Sequence, residues 1–310
     1  MKTGLNKITA CLVSAAMLIV AAPSGMHAFA ETRDSSADDA AIESQLRVSV
    51  RAEDYTAVAA GIEGASETGM IADTQVMAGT PAEAVERALT SSNVEFDMSM
   101  GYVSEVNGLS AADGYYMSGW MLAYNNDDCD NWGLNYINLE DDSTITLIYT
   151  LDGGADIAAA SSGLPTLKTL DIAGVKYEFE TVTEYDENWN ASYTYKVNGE
   201  EIEGTGTKDN PFLVSYSIAP ENKDGKITYS YTTYANPNYV SVSDVGDYIT
   251  PDSSNEIVIT SRGGRKAYYN IKAVMETETP APTGTPEPTG TPEPTPTTNT
   301  PLTPDPKHTP

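Results

Sequence analysis

Short runs of alternating apolar and polar residues recur along this chain, and they constrain its fold more strongly than any other sequence feature. Leu46, Val48 and Val50 alternate with polar neighbours, and comparable runs rich in Tyr and Thr recur beyond residue 164. Alternation of this kind places the apolar side chains on one face of a β-strand. The pattern therefore predicts a mainly β protein.

One helix is predicted within the first of these regions, at "TPAEAVERAL". Thr80 is a suitable N-cap, Pro81 suits the first helical position, and Glu83 completes a capping box. Apolar residues follow at helical spacing on one face: Ala84, Val85, Ala88 and Leu89. The signal predicts a short helix that packs one face against a sheet.

Residues 46–150 are predicted to form one α+β domain. Two strands precede the helix and three follow it, which is the order of a β-grasp. The predicted strands are 46–51, 70–77, 101–109, 118–125 and 143–150. One helix packed across a mixed sheet would bury the apolar face of the helix.

Residues 164–275 are predicted to form an all-β domain, an immunoglobulin-like sandwich. No helical period appears there, and Asn198-Gly199, Asp224-Gly225 and Gly263-Gly264 are typical turn dipeptides. The predicted strands are 175–182, 191–197, 211–218, 226–234, 256–261 and 267–274.

The two ends of the chain indicate export. Residues 1–30 have a basic start, an apolar run and the small-x-small pattern Ala28-Phe29-Ala30, which together predict a signal peptide. Residues 31–45 are predicted to be a flexible leader and 151–163 a linker. Residues 276–310, rich in Pro and Thr, are predicted to be a disordered spacer. We expect a secreted protein that is held at the cell wall or envelope through this tail.

Charge and histidine content exclude several kinds of function. The chain has 17 Lys and Arg residues against 45 Asp and Glu residues, a formal net charge of −28, so we expect no nucleic-acid partner. His27 lies in the signal and His308 in the tail, which leaves the predicted domains without a histidine. Catalytic triads, Cys–His pairs and His-ligated zinc sites are thereby excluded. A carboxylate-pair hydrolase stays open, but no acid lies in a recognisable motif, and we expect no enzyme.

A candidate ligand site lies in "SGWMLAYNNDDCDNWG", residues 118–133, where a predicted strand runs into a polar loop. Trp120, Tyr124, Asn125 and Trp132 combine aromatic faces with an amide group, which suits a sugar or a planar ligand. These four are the predicted ligand-binding residues. For Trp120 the alternative is a place in the core, because it lies in a strand beside apolar residues.

The same loop is acidic and holds a thiol. Asp127, Asp128 and Asp130 supply hard oxygen ligands and are candidate calcium ligands, with a solvated acidic turn as the alternative. Because Cys11 leaves with the signal, Cys129 is the remaining thiol, and no internal disulfide can form. The neighbouring carboxylates argue against a catalytic thiolate. Cys129 either stays a free thiol or links two chains into a dimer.

Residues 46–150 also resemble a family of secreted bacterial domains of unknown function, similar to the C-terminal domain of transcobalamin. The matching segments are "TPAEAVERAL", "YVSEVNGLS", "SGWMLAYNN" and "YINLEDDSTITLIYT". Gly119, Trp120, Met121 and Asn125 match a Gly-Trp-Met-x-x-x-Asn core. The resemblance implies a β-grasp fold and binding of a small soluble ligand, without catalysis. Transcobalamin holds cobalamin between this domain and a helical barrel that the chain lacks, so we do not expect cobalamin as a cofactor.

The second predicted domain carries a similar hint. "AYYNIKAV", the "SRGG" before it and "GTGTKDNPFLV" resemble segments of bacterial immunoglobulin-like repeats on surface proteins, which implies a stalk or an adhesin. Two hypotheses follow. The first is an exported, non-catalytic module that binds a soluble small molecule or a surface glycan or protein. The second is a structural stalk with no small-molecule ligand.

Overall fold

The first part of the described chain is a mixed β-sheet with a helix packed across it. The computed structural model describes residues 45–111, 117–127, 133–222, 224–253 and 255–276. All of these residues belong to one compact unit. The predicted signal (1–30) lies outside the described residues, as do almost all of the predicted leader (31–45) and of the predicted tail (276–310).

Residues 45–150 form what we term the N-lobe. Its elements are β1 (Leu46–Glu53), α1 (Tyr55–Ala60), β2 (Met70–Ala78), α2 (Pro81–Ser91), β3 (Phe96–Ser99), β4 (Tyr102–Val106), β5 (Leu109–Ser110), β6 (Gly119–Tyr124) and β7 (Ser143–Thr150). The main sheet has the order β2-β1-β7-β6, and β3, β4 and β5 form a second, smaller sheet. Strand β1 pairs antiparallel with β2 and parallel with β7, so the main sheet is mixed.

Helix α2 forms where the sequence predicts it. The Thr80 hydroxyl accepts a hydrogen bond from the Glu83 backbone N–H at 3.2 Å, and Pro81 opens the helix. The Glu83 carboxylate reaches one residue beyond the cap, to the Gly79 N–H at 2.7 Å. The predicted apolar face is fully buried in the N-lobe core. The predicted helix and its N-cap are confirmed.

The predicted strand 101–109 is wrong in one respect, because the structure divides it into β4 and β5. Asn107 and Gly108 both have positive φ, 55° and 81°, and form the two-residue turn between these strands. An Asn-Gly pair at positive φ matches the twist of a tight hairpin, and this preference prevails over the alternation on either side.

Residues 164–276 form what we term the C-lobe. Its elements are β8 (Leu167–Ile172), β9 (Val175–Tyr185), β10 (Ala191–Val197), β11 (Glu200–Glu201), β12 (Phe212–Ile218), β13 (Ile227–Thr233), β14 (Val240–Ser243), β15 (Tyr248–Ile249), β16 (Asn255–Ser261) and β17 (Lys266–Met275). One sheet has the order β11-β10-β9-β8-β13-β15 and the other β12-β17-β16-β14. Side chains from both sheets pack into a single core that includes Leu170, Phe212 and Tyr269.

The described chain is mainly β, as predicted. The elements that the sequence patterns missed are short or weakly patterned, namely α1, β3, β8, β11, β14 and β15. Helix α1 has six residues, too few for a clear helical period, and β8 reads "LKTLDI", in which two polar residues adjoin. No helix in the described part of the chain is long and apolar enough to cross a membrane.

Residues 151–163, predicted as a linker, form a packed connecting segment between the lobes. The segment contains short 3₁₀ turns at Ala155–Ile157 and Ala160–Ser162, and it buries Ile157, Ala158 and Ala159. The Arg265 guanidinium donates to the carbonyl oxygens of Ala158 and Ala159 at 2.8 and 2.9 Å, and also to that of Gly163. These bonds hold the segment against the C-lobe.

Candidate functional site

Trp120, the first predicted ligand residue, packs into the N-lobe. It is half-buried, and its indole N–H donates to the Leu109 carbonyl oxygen at 2.8 Å. Its ring meets that of Tyr149 edge to face, with centroids 5.3 Å apart. Both the ring and the polar atom of Trp120 are therefore used within the fold, which favours its structural interpretation.

Tyr124 and Asn125 fasten the end of β6 to the segment before β7. The Tyr124 hydroxyl donates to the Asn138 carbonyl oxygen and accepts from the Glu140 N–H, both at 3.0 Å. The Asn125 side-chain oxygen accepts from the Thr144 N–H at 2.9 Å. These contacts stabilise the strand end, and the Tyr124 hydroxyl is used there both as a donor and as an acceptor, while Asn125 is exposed.

Much of the acidic loop lies outside the described residues. Trp132, Asp128, Asp130 and Cys129 belong to that part, and Asp127 is described and exposed. No group of three or more His, Cys, Asp or Glu side chains is placed to hold a metal ion within the described ranges. The calcium site and the Cys129-linked dimer stay predictions.

The structure brings together a different set of residues, in an open groove of about 770 Å³ where the two lobes meet. The polar lining includes Asp152, Lys168 and Tyr234, and the apolar lining includes Met117 and Leu151. Helix α1 and the connecting segment supply one wall, and β8 and the end of β13 supply the other. Most ligand pockets are of this type, a concave and partly apolar surface with a few polar groups.

Asp156 shapes the floor of the groove. Its carboxylate accepts hydrogen bonds from the Thr150 hydroxyl and from the Leu151 N–H, the latter at 2.8 Å. Burial raises the pKa of this carboxyl above its ordinary value, and the charge on Asp152 adds to the rise, while the two hydrogen bonds oppose it. Its backbone oxygen accepts from the Asn236 N–H at 2.8 Å. Asp156 therefore fixes the connecting segment and ties it to the C-lobe.

Tyr234, Asp152 and Lys168 are the groups placed to meet a ligand. The Tyr234 hydroxyl donates to the Asp152 carboxylate, which is exposed, and the Lys168 ammonium lies 6.0 Å from the centroid of the Tyr234 ring. Burial, together with the hydrogen bond to Asp152 and its charge, raises the pKa of the Tyr234 hydroxyl, which stays neutral at physiological pH. The groove thus presents a tyrosine ring that has an ammonium over one face and a carboxylate at its hydroxyl.

An ion pair in which one partner is buried joins the two lobes. Glu53, at the end of β1, is 2% exposed and binds Arg262 of the turn between β16 and β17, with 2.8 Å between Oε2 and Nη2. The Arg262 guanidinium also lies 5.1 Å from the centroid of the Tyr239 ring, and Tyr239 packs against β6, β7 and the connecting segment. These contacts join the C-lobe turn to the N-lobe sheet and to the connecting segment.

Sequence reasoning did not identify the groove residues. The Tyr234–Asp152 contact joins positions 82 residues apart, and no local period connects them. A weak signal exists in "TTYANPNY", where Tyr234 precedes a turn-forming Asn236-Pro237 pair in a loop between strands.

Comparisons with known proteins add no relative: no family model, no curated protein and no solved structure matches the chain.

Proposed function

We propose that this chain is an exported, non-catalytic binding module whose groove between the lobes takes a small hydroxylated molecule such as a sugar. The arrangement of Tyr234, Asp152 and Lys168 carries the proposal. A pyranose ring presents C–H groups that stack on an aromatic face, and its hydroxyls can donate to a carboxylate and accept from an ammonium.

The domain types are part of the same proposal. Helix α2 packs across a mixed sheet whose strands β1 and β7 are parallel, which supports a β-grasp for the N-lobe. Two sheets share one core in the C-lobe, which supports an immunoglobulin-like sandwich. The ligand site that we propose lies where these lobes meet, because the groove there brings an aromatic ring, a carboxylate and an ammonium together on one concave surface.

Calorimetric titration of the protein with a panel of soluble mono- and disaccharides tests the groove. We expect saturable binding that weakens at least about tenfold in Tyr234→Ala, a loss typical of a contact that dominates an interface. Tyr248→Ala is the matched control, because Tyr248 is similarly exposed and also lies near an ammonium, with Lys226 Nζ 5.4 Å from its ring centroid. An equal loss of sugar affinity in both variants, or no saturable binding to any sugar, would contradict the proposal that the groove is a binding site.

A structural stalk is the second candidate function, and the contacts at the boundary between the lobes favour it. A spacer has to transmit orientation. The Glu53–Arg262 pair joins the two lobes, and Arg265 holds the connecting segment against the C-lobe. A protein that binds none of the sugars but keeps one fixed angle between its lobes in small-angle X-ray scattering would be a stalk.

A further inference from the structure

The hairpin of β9 and β10 extends beyond the sheet to which it belongs. The described pairing of β8 with β9 ends at Glu178, whereas β10 pairs with β9 as far as Tyr185. The base of the extended part is braced, because the Tyr193 hydroxyl donates to the Ser161 carbonyl oxygen at 3.0 Å and the Tyr195 hydroxyl accepts from the Leu164 N–H at 2.8 Å. The end of the hairpin, residues 185–190, projects from this base, and we term it the aromatic tip.

Two exposed aromatic rings lie at the aromatic tip. Tyr185 is 48% exposed and Trp189 is 69% exposed, and their ring centroids are 6.2 Å apart with an angle of 53° between the ring planes. Trp120 provides the contrast within the same chain, since its ring and its N–H are used inside the N-lobe. Large exposed aromatic groups that sit together mark a binding surface more often than single scattered ones do.

Asp186 holds the tip in one conformation. Its carboxylate accepts three hydrogen bonds, each 2.8 Å long, from the Asn188 N–H, the Asn190 N–H and the Asn190 side-chain amide. The bonds from Asn190 lower the pKa of this carboxyl, with a smaller contribution from Asn188, so it is ionised at neutral pH. Trp189 itself has a φ of 64°, in the left-handed region that favours glycine. A bulky residue kept at such a position is a reason to look for a function.

The charges around the tip select the partner. Glu184, Asp186 and Glu187 are exposed, and residues 184–192 contain no Lys or Arg. Such a surface repels nucleic acid and the anionic headgroups of a membrane. A polysaccharide without negative charge fits it, because each pyranose ring offers an apolar face to Trp189 and Tyr185 and hydroxyls to the neighbouring carboxylates and amides.

We propose that the aromatic tip is a binding platform for an extended polysaccharide without charged groups, with Trp189 and Tyr185 stacking on the sugar rings and Asp186 holding the turn that positions these two side chains. The platform lies on elements other than those of the groove. Each site can therefore be removed without the other, and the failure of one proposal does not decide the other.

Nuclear magnetic resonance of the full-length protein tests the platform directly. The chain has three tryptophans, and the indole signal of Trp189 is identified by its loss in Trp189→Gly, in which glycine also suits the positive φ. Cellohexaose and an N-acetylglucosamine hexamer, both uncharged, are the probes. We expect one of the two hexamers to shift the Trp189 signal saturably, while the signal of Trp120, whose N–H is hydrogen-bonded inside the fold, stays in place.

The variants separate stacking from positioning. Trp189→Gly should weaken binding of that hexamer at least about tenfold, and Trp189→Phe should keep most of the binding because a ring remains. Asp186→Ala keeps both rings and should weaken binding severalfold by freeing the turn. Tyr136→Ala, at another exposed tyrosine, should have no effect. A Trp189→Gly protein that binds as tightly as the parent, or a parent that binds neither hexamer, would overturn the proposal. Binding that depends on Trp189 but occurs on phosphatidylcholine–phosphatidylglycerol vesicles instead of the sugars would overturn it in favour of a membrane contact.

Discussion

The N-lobe and the C-lobe bury their sheets in different ways. In the N-lobe, alternate residues of β6 enter different clusters: Leu122 packs with α2, and Met121 and Ala123 pack with the connecting segment and Tyr239. Strands β6 and β7 of the main sheet are thus covered on both faces. In the C-lobe, the two sheets cover each other, and β12 alternates strictly between buried and less buried residues.

This difference shows where each lobe obtains its burial. Strand β7 is buried along nearly its whole length because it lies between β1 and β6 and has a packed layer on each of its own two faces. One of those layers comes from outside the N-lobe. The C-lobe core is made from its own strands, so the N-lobe should depend on the C-lobe more than the reverse.

The largest expected effect comes from Arg262→Ala, which removes the Glu53–Arg262 ion pair between the lobes. The Glu53 side chain, which is 2% exposed, would lose its ion-pair partner, and we expect a loss of about 3 kcal/mol in the free energy of unfolding, measured by urea denaturation. Arg51→Ala is the control on the same strand, because its pair with Asp73 is exposed and should contribute about 0.5 kcal/mol or less. Equal losses of unfolding free energy in the two variants would contradict a dependence of the N-lobe on the Glu53–Arg262 pair.

The next prediction concerns hydroxyls in the C-lobe core. The Tyr269 hydroxyl accepts the Leu167 N–H at 3.1 Å, so Tyr269→Phe leaves a buried donor unpaired and should cost about 1–3 kcal/mol. The hydroxyl of Tyr216 is buried with no hydrogen-bond partner within the described residues, so Tyr216→Phe should be neutral or slightly stabilising. Thermal melts of the two variants measure these changes in stability. A larger loss of stability in Tyr216→Phe than in Tyr269→Phe would contradict the predicted difference between the two hydroxyls.

A smaller effect is expected at the start of α2, the layer that the N-lobe supplies for itself. Thr80→Ala removes the N-cap and should lower stability by about 1 kcal/mol. Thr90→Ala, on the exposed side of the same helix, should be neutral or slightly stabilising, since alanine is the better helix former. A larger loss of stability in Thr90→Ala than in Thr80→Ala, measured by chemical denaturation, would contradict a stabilising role of the N-cap.

The smallest effects are in pH dependence, and two aspartates should show opposite signs. Burial raises the pKa of Asp156, so its contribution to stability is present below the unfolded value of 3.8 and is lost as the pH rises through the higher folded value. Hydrogen bonds lower the pKa of Asp186, so its contribution is present above 3.8 and is lost as the pH falls through the lower folded value. Stability measured from pH 3 to pH 7 in Asp156→Ala and Asp186→Ala gives each contribution by difference. Slopes of the same sign would contradict the assignment.

The sequence predicted the local elements well and the candidate site poorly. Helix α2 was predictable because its cap, its proline and its apolar face lie within twelve residues. Trp120 was predicted to bind a ligand, with a place in the core as the alternative. An aromatic residue in a strand that leads into a polar loop fits either role. Its bond to Leu109, eleven positions away, favours the core. Trp189 gave little signal because a lone aromatic residue in a polar turn does not reveal that Tyr185 stands beside it.

By itself the sequence determined the mainly β architecture, the place and cap of α2 and the turn at Asn198-Gly199, since these depend on residues that are neighbours along the chain. It also determined that the predicted domains contain no histidine. Only the tertiary structure decided that Glu53 meets Arg262 and that Tyr234 meets Asp152, contacts that span 209 and 82 positions. Such pairs form because packing two lobes brings distant strand ends together, and no local pattern of residues records which ends will meet.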